Sequence, residues 1–379
     1  MNQRKAAFQQ GLRSIKTRKV SSAAPTVAPA QKMRYNGVTM LAPNQIVQGD
    51  SIQLLNDGPE GWVDLCFADP PFNIGYLYHG YDDQKDVNEY CDWSEKWMRA
   101  VHRALKPNGS FFLAIGDEFA ADLAVIARRK IGFHLRNWII WHYTFGQQTS
   151  KKFAKSHTHI LYLTKDAKEF TFNADDVRVK SARQTIYGDT RANTKGKLPD
   201  DTWFLRPQEA GGHALVEPGG KLLTPDEAAA FGYFGSNTDC WNESRVCGTF
   251  KEREGWHGCQ MPMGVLNRII SAASNPGDTV LDPFNGSGTT VVSAALLGRK
   301  YIGIDQSAEY VGYAQKRLAH ALETAAHAPT VESKTLAITN DIRRASRVMT
   351  ETDAFGRKRV TRARNGKPIR DSRVKAKAS

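Results

Sequence analysis

Asp282-Pro283-Phe284-Asn285-Gly286-Ser287-Gly288-Thr289-Thr290 follows directly on Thr279-Val280-Leu281, and this stretch decides the fold. A short apolar strand, a turn holding two glycines and a run able to continue as a helix form the unit that α/β proteins place around a nucleoside-containing ligand. Glycine lets the backbone approach a ligand closely and adopt positive φ. A helix beginning near Thr289 would aim its free amides at that ligand. No lysine follows the glycines, so this is not a phosphate-binding P-loop, and the spacing lacks the full dinucleotide fingerprint. The next strand, Lys300 to Ile304, ends in Asp305, seventeen residues beyond Gly288. An acid there can accept both hydroxyls of a ribose, or serve only as a strand-end turn residue. With Asp282 before the glycines and Asp305 after them, an adenosine-containing cofactor is expected.

Outward from this unit the same alternation recurs. Gln45–Gln48, Val63–Ala68, Ser110–Ile115, Leu135–Tyr143 and His159–Thr164 read as strands. Trp93–Leu105, Phe119–Arg129, Pro262–Ser274, Thr289–Leu297 and Tyr310 to about Leu322 read as helices, each with an apolar face. Apolar strands alternating with helices of this length predict an α/β fold with a doubly wound, mostly parallel sheet covered on both faces. From Lys168 to about Trp256 the pattern fails, apart from a candidate helix at Pro225–Phe231. The expected divisions are a basic disordered arm at 1–35, a first half of the α/β domain at 36–167, an insertion at 168–256, a second half at 257–325 and a basic tail at 326–379.

A second loop carries the chemistry. Asp69-Pro70-Pro71-Phe72 closes the buried run Val63-Asp64-Leu65-Cys66-Phe67-Ala68. An aryl amine is a poor nucleophile because its lone pair is delocalised into the ring. A site that alkylates it must let the nitrogen become more tetrahedral as it attacks. Asp69 can accept one N–H and the Pro70 carbonyl the other, and both bonds strengthen as positive charge develops. The prolines fix φ and keep that carbonyl pointed into the site. Phe72 can stack on a base removed from its duplex. The bland alternative is a tight turn capped by Asp and stiffened by two prolines. Tyr76 and Tyr78 either line the pocket or simply pack.

The two blocks in this order resemble the beta group of DNA amino-methyltransferases, over about residues 44 to 322. The resemblance implies a fold of the S-adenosylmethionine-dependent methyltransferase type, with an inserted target-recognition region. It implies S-adenosylmethionine as cofactor and direct in-line transfer of its methyl, with no metal and no covalent enzyme intermediate. By the same pattern Asp50 approaches the cofactor adenine, Asp282 the methionine amino end and Asp305 the ribose, with Phe284, Gly286 and Gly288 forming the cofactor block. His257-Gly258-Cys259-Gln260-Met261-Pro262 resembles the family's His-Pro-x-Gln-Lys-Pro. Here Met261 replaces the lysine, which leaves Gln260 as the polar contact. Asp239-Cys240-Trp241 and Gly248 to Arg253 also resemble family elements. Arg178, Lys180, Arg183, Arg191, Lys195 and Lys197 are candidate DNA contacts in the recognition region. His157 and His159 are expected to be structural. Asp as first residue of the catalytic block favours the N6 amine of adenine over the N4 amine of cytosine. A catalytically inactive DNA-binding protein of the same fold is the other alternative.

Charge points to the same partner. The chain has a net charge of +13, with eight Lys or Arg and no acid in residues 1–34, and fourteen against four acids in 334–379. An acidic body with two basic arms is suited to a polyanion, because cations on such arms meet phosphates without fixing a base sequence, or else the arms only keep the protein soluble; the resemblance makes double-stranded DNA the expected partner. Gly356-Arg357-Lys358-Arg359 is a generic basic segment. No apolar run approaches a membrane span. Five cysteines suggest a reducing compartment rather than a disulfide framework. The spacing of Cys240, Cys247, Cys259 and His257 lacks the close pair of a structural zinc site. A cytoplasmic, nucleoid-associated protein is expected, and the resemblance suggests a homodimer.

Overall fold

The computed structural model describes residues 29–35, 37–76, 83–143, 149–151, 153–179, 190–203 and 260–327, and the backbone of 348–352 and 358–362. The strands are β1 (Lys32–Tyr35), β2 (Val38–Leu41), β3 (Gln45–Gln48), β4 (Val63–Ala68), β5 (Leu105–Ile115), β6 (His134–His142), β7 (His157–Thr164), β8 (Thr202–Trp203), β9 (Thr279–Asp282), β10 (Lys300–Asp305), β11 (Val348–Thr352) and β12 (Lys358–Arg362). The helices are α1 (Ser51–Asn56), α2 (Val87–Ala104), α3 (Ala120–Val125), α4 (Met263–Ala273), α5 (Thr289–Leu296) and α6 (Ala308–His327).

Eight strands form one sheet in the order β3-β10-β9-β4-β5-β7-β6-β8. From β3 to β5 every pair is parallel, whereas β7 runs antiparallel to both β5 and β6. The sheet is buried on both faces. In β4, Cys66 and Ala68 join the core beneath α1, α2 and α3, while Leu65 and Phe67 join the core beneath α4. That two-sided burial is why β4 reads as a continuous apolar run rather than an alternating one. Trp97 of α2 is fully buried and meets Phe111 and Phe284 edge-on, at 6.0 and 5.1 Å between ring centres. Truncating such a side chain to alanine costs about 3–5 kcal/mol.

Adjacent strands β4 and β9 lie at the centre, pairing Leu65 with Val280 and Cys66 with Leu281. The chain leaving β4 enters α2 on one face, and the chain leaving β9 enters α5 on the other. A crevice opens at the carboxyl ends of strands whose crossovers diverge in this way. Asp69, Asp282 and Asp305 all sit at that edge.

Several boundaries differ from the expectation. Helix α2 starts at Val87, six residues before Trp93, because Asp86 caps it by accepting the Asn88 amide at 2.9 Å. Val87 and Tyr90 stand there among Asn88, Glu89 and Asp92, too few apolar residues to set a helical period. Lys106 to Gly109 bulge from β5, since Leu105 pairs with Val63 and Ser110 with Leu65. The helix expected over 119–129 is α only to Val125, then π-helical over Ile126–Ile131, and ends on Gly132 at φ 103°. Order begins before residue 35: β1 and β2 form an antiparallel pair joined by Asn36-Gly37. A second antiparallel pair, β11 with β12, lies within the basic tail. The candidate helix at 225–231, Tyr78, Lys180, Arg183 and the segments 239–241, 248–253 and 257–259 lie outside the described residues.

Candidate active site

Asp69, Pro70, Phe72, Gln260, Asp282, Phe284, Gly286 and Asp305 line a single cavity of about 630 Å³ at the carboxyl edge of the sheet. The Asp-Pro-Pro-Phe loop and the glycine loop therefore open into one space, despite their separation in the chain. Gly288 and Asp50 do not line it, although Gly49 and Ser51 do.

The Asp-Pro-Pro-Phe loop is held from behind. The hydroxyl of Tyr90, a fully buried residue of α2, donates to the Pro71 carbonyl at 2.6 Å. Phe72 lies so close to the end of β5 that a Cβ on Gly116 would come within 3.2 Å of its ring. Pro70 is buried, and Asp69 is half-buried at the exit of β4. Strand β4 thus delivers a carboxylate to the cavity on a backbone fixed by ring constraint, one buried hydroxyl and one glycine.

The glycine loop is shaped by its neighbours on β10 and α6. Asp305 accepts the Gly286 amide at 2.8 Å and the Ser307 amide at 2.9 Å. Arg317 of α6 donates to the Ser287 carbonyl and to the Thr289 hydroxyl, both at 2.9 Å. Gly288 caps α5 at φ 76°, and a Cβ there would sit 2.9 Å from Cβ of Ala314. Its role is to let the loop turn and α6 pack, which explains its absence from the cavity wall.

Two acids sit close together here, Asp282 buried and Asp305 part-buried. Burial pushes the Asp282 carboxyl up to about 7, with the Asp305 charge adding to the rise, against bonds from Thr290 and from the Phe284 amide. Burial also raises Asp305, against the Ser307 and Gly286 amides. Two carboxyls that line one cavity and are shielded from water suit a ligand that brings both hydroxyls and a cation. Adenosine linked to an amino acid fits that description, so the residues fit S-adenosylmethionine. Gln260 and Met261 are buried and line the same wall. Asp50 caps α1, accepting the Gln53 amide at 2.9 Å and the Gln306 side chain at 3.1 Å.

The other wall carries groups that sequence reasoning placed elsewhere or missed. His157 lines the cavity, together with Asp117 and Lys155. Lys155 lies 3.2 Å from Asp117, and the imidazoles of His157 and His159 lie 3.8 and 3.9 Å from it. Partial burial pushes Asp117 up, but bonds from Lys155 and the backbone outweigh it and hold the carboxyl below its ordinary value. Asp117, His157 and His159 have metal-like spacing. However, the Trp138 indole donates to Nδ1 of His159 at 2.8 Å, so the neutral ring carries its proton on Nε2, the atom facing Asp117. A protonated nitrogen beside an ion-paired carboxylate has no lone pair for a cation. His159 is tied into the sheet by the Trp138 indole, and His157 is part of the cavity wall. Tyr76 is partly exposed and does not line the cavity.

In the inserted region, Arg178 and Lys195 both pair with Asp175, and Lys197 pairs with Asp200. Among the described residues no helix is long and apolar enough to cross a membrane.

Residues 63–316 match the DNA methylase family of the N6/N4 type. Type II methyltransferase M.HpaI of Haemophilus parainfluenzae is 30% identical over 72% of this chain and 74% of its own. DNA adenine methyltransferase YhdJ of Escherichia coli (strain K12) is 34% identical over 72% of this chain and 82% of its own. Among solved structures, the cytosine-N4-specific PvuII DNA methyltransferase aligns over 80% of this chain and 93% of its own, at 18% identity and a TM-score of 0.49. The chain belongs to the N6-adenine/N4-cytosine family of S-adenosylmethionine-dependent DNA methyltransferases.

Proposed function

We propose that the protein methylates the exocyclic N6 amine of adenine in double-stranded DNA, on a base extruded from the helix into the cavity. The observation that carries this reading is that Asp69 and the glycine loop line one and the same cavity. An aspartate in first position of the catalytic block favours adenine, and a relative of 34% identity is named as an adenine methyltransferase.

When bound, S-adenosylmethionine supplies an electrophilic methyl on its sulfonium. Asp305 would hold the ribose, Asp282 and Gln260 the methionyl end, and Phe284, Gly286 and the Asp50 turn the adenosine. Gly288 contributes by shaping the loop. Asp69 accepts one amine N–H and the Pro70 carbonyl the other, orienting the nitrogen lone pair away from both. As positive charge grows on that nitrogen, both contacts strengthen, which is the differential binding that lowers the barrier. Phe72 faces the base ring and offsets part of the few kcal/mol spent in extrusion. The basic arms hold the phosphate backbone, and nucleoid association follows from that grip.

Base-resolution mapping of methylation in DNA from cells expressing the chain tests the reading. N6-methyladenine in one motif, lost in Asp69→Ala, is the expected outcome; N4-methylcytosine would replace the adenine assignment, and undiminished transfer by Asp69→Ala would remove the acceptor mechanism. That variant should still bind S-adenosylmethionine.

A further inference from the structure

The segment after the catalytic block is held in a conformation that exposes an apolar side chain at the cavity mouth. Ile74 is 66% exposed and also lines the cavity. Its backbone is fixed by one buried carboxylate. Asp83, only 2% exposed, accepts the amide of Asn73 at 2.8 Å with Oδ1, and those of Ile74 at 3.1 Å and Tyr76 at 2.9 Å with Oδ2. The Asp83 carbonyl accepts the Gly75 amide at 2.8 Å. Asn73 stands at φ 57°, and its side chain exchanges two bonds with the Lys85 backbone, at 2.7 and 2.8 Å. Four consecutive residues are thus locked from beneath, in part through a left-handed asparagine that bears local strain.

Ile74 thus presents an aliphatic side chain on a locked loop at the rim of the cavity the target enters, where it can meet the duplex. We propose that residues 73–76 form a rigid prong, and that Ile74 enters the duplex at the extrusion site when the base moves into the cavity. This rests on the DNA-methylating function proposed above and names how that site pays for an open stack. Proteins that unstack base pairs commonly insert an aliphatic or aromatic wedge between base steps. Because Asp83 has already ordered the loop, insertion loses little further conformational freedom. Asp83 and Asn73 act as positioning residues through Ile74, and neither touches the reacting atoms.

The experiment uses the full chain and a duplex carrying the mapped target site, in two forms: target base paired, and target base opposite an abasic position. For Ile74→Ala, kcat/KM on the paired duplex should fall about tenfold or more, while the value on the unpaired target changes by less than about twofold. Ile74→Leu should restore most of the loss. Asp83→Asn should reproduce the selective loss, with melting temperature and S-adenosylmethionine affinity measured alongside to separate loop release from unfolding. Equal effects of Ile74→Ala on both duplexes, or none on either, overturns the prong while leaving the methyltransferase reading standing. Wild-type protein that modifies neither duplex overturns both.

Discussion

Oδ2 of Asp305 accepts the backbone amide of Gly286 at 2.8 Å, tying the end of β10 to the loop after β9. The acid proposed to hold the ribose is therefore also the acid that sets the shape of the glycine loop. Such a carboxylate has two functions that one substitution can separate. Asp305→Ala removes the acceptor for two amides and the ribose partner together. Charge-assisted bonds of this kind contribute about 1.5–3 kcal/mol each. S-adenosylmethionine affinity should fall about 100-fold or more, with a lowered melting temperature. Asp305→Asn keeps one carbonyl acceptor for Gly286 or Ser307 and should recover stability more than affinity. Calorimetric titration and thermal melting check both; unchanged affinity in the alanine variant would exclude Asp305 from the cofactor site.

At Gly288 the constraint is twofold. Its φ of 76° is strained for any L side chain, and a Cβ would meet Ala314 at 2.9 Å. Gly288→Ala should destabilise by about 1–3 kcal/mol. Adding Ala314→Gly relieves the contact but not the backbone strain, so the double variant should recover part of the loss. Denaturant unfolding of the four proteins measures the coupling. Full recovery would mean that crowding alone constrains the site, and no recovery that only φ does.

Protonation of Asp282 makes cofactor binding depend on pH. Burial lifts this carboxyl from an ordinary value of 3.8 to about 7. The folded protein therefore holds a proton that the unfolded chain releases, so the cofactor-free protein loses stability as pH rises from about 4 to about 7. A cationic amino group binding Asp282 requires the ionised form. S-adenosylmethionine affinity should thus fall by up to about tenfold per unit below pH 7, and fall again at alkaline pH once the ligand's own amino group loses its proton. Asp282→Asn should be weaker at high pH and nearly flat across the range. Titrations at several pH values check this; a wild-type affinity that rises on acidification below about pH 7 would place the amino group elsewhere.

How much of this was legible depended on what fixes each element. Strands β4 and β9 are buried on both faces and carry their own composition, so their bounds follow from the residues. The order Asp-Pro-Pro-Phe before the glycine loop could place both at one cavity because parallel strands share a carboxyl edge. Asp50 shows the limit: a Gly-Asp at a strand end predicts a ligand contact or a helix cap equally well, and its carboxylate caps α1. Apolar periodicity reaches α2 only at Trp93, because Val87 and Tyr90 alone set no period, although Asp86-x-x-Glu89 has capping-box spacing. The β1–β2 pair was missed although Asn36-Gly37 is a strong hairpin signal. Asp83 and Tyr90 carry no motif at all. Their roles exist only through backbone groups seven to nineteen residues away, and no periodicity reports such contacts.

Tyr90 offers a sharper test of the catalytic loop than Asp69 does, since it never meets the substrate. Its hydroxyl donates to the Pro71 carbonyl at 2.6 Å from a fully buried position. Tyr90→Phe keeps the ring and deletes the donor, leaving that carbonyl one bond short at a cost of about 1–3 kcal/mol. If the bond orients the loop, kcat should fall while the KM for S-adenosylmethionine stays near wild type. A parallel loss in both would indicate a general loosening of the fold.

The C-terminal arm should grip DNA without reading it. Residues 334–379 carry fourteen cations against four acids. Each phosphate neutralised contributes about −0.9 to the slope of log affinity against log salt. Deleting 334–379 should therefore weaken DNA binding most at low salt and make the slope shallower by several units. Since backbone contacts carry no sequence information, the methylated motif should remain the same. Binding measured from about 50 to 300 mM salt, with methylation mapped in parallel, checks both halves of the argument. A shallower slope with an altered motif would make this arm a reader of bases; an unchanged slope would move the phosphate contacts onto the body of the protein.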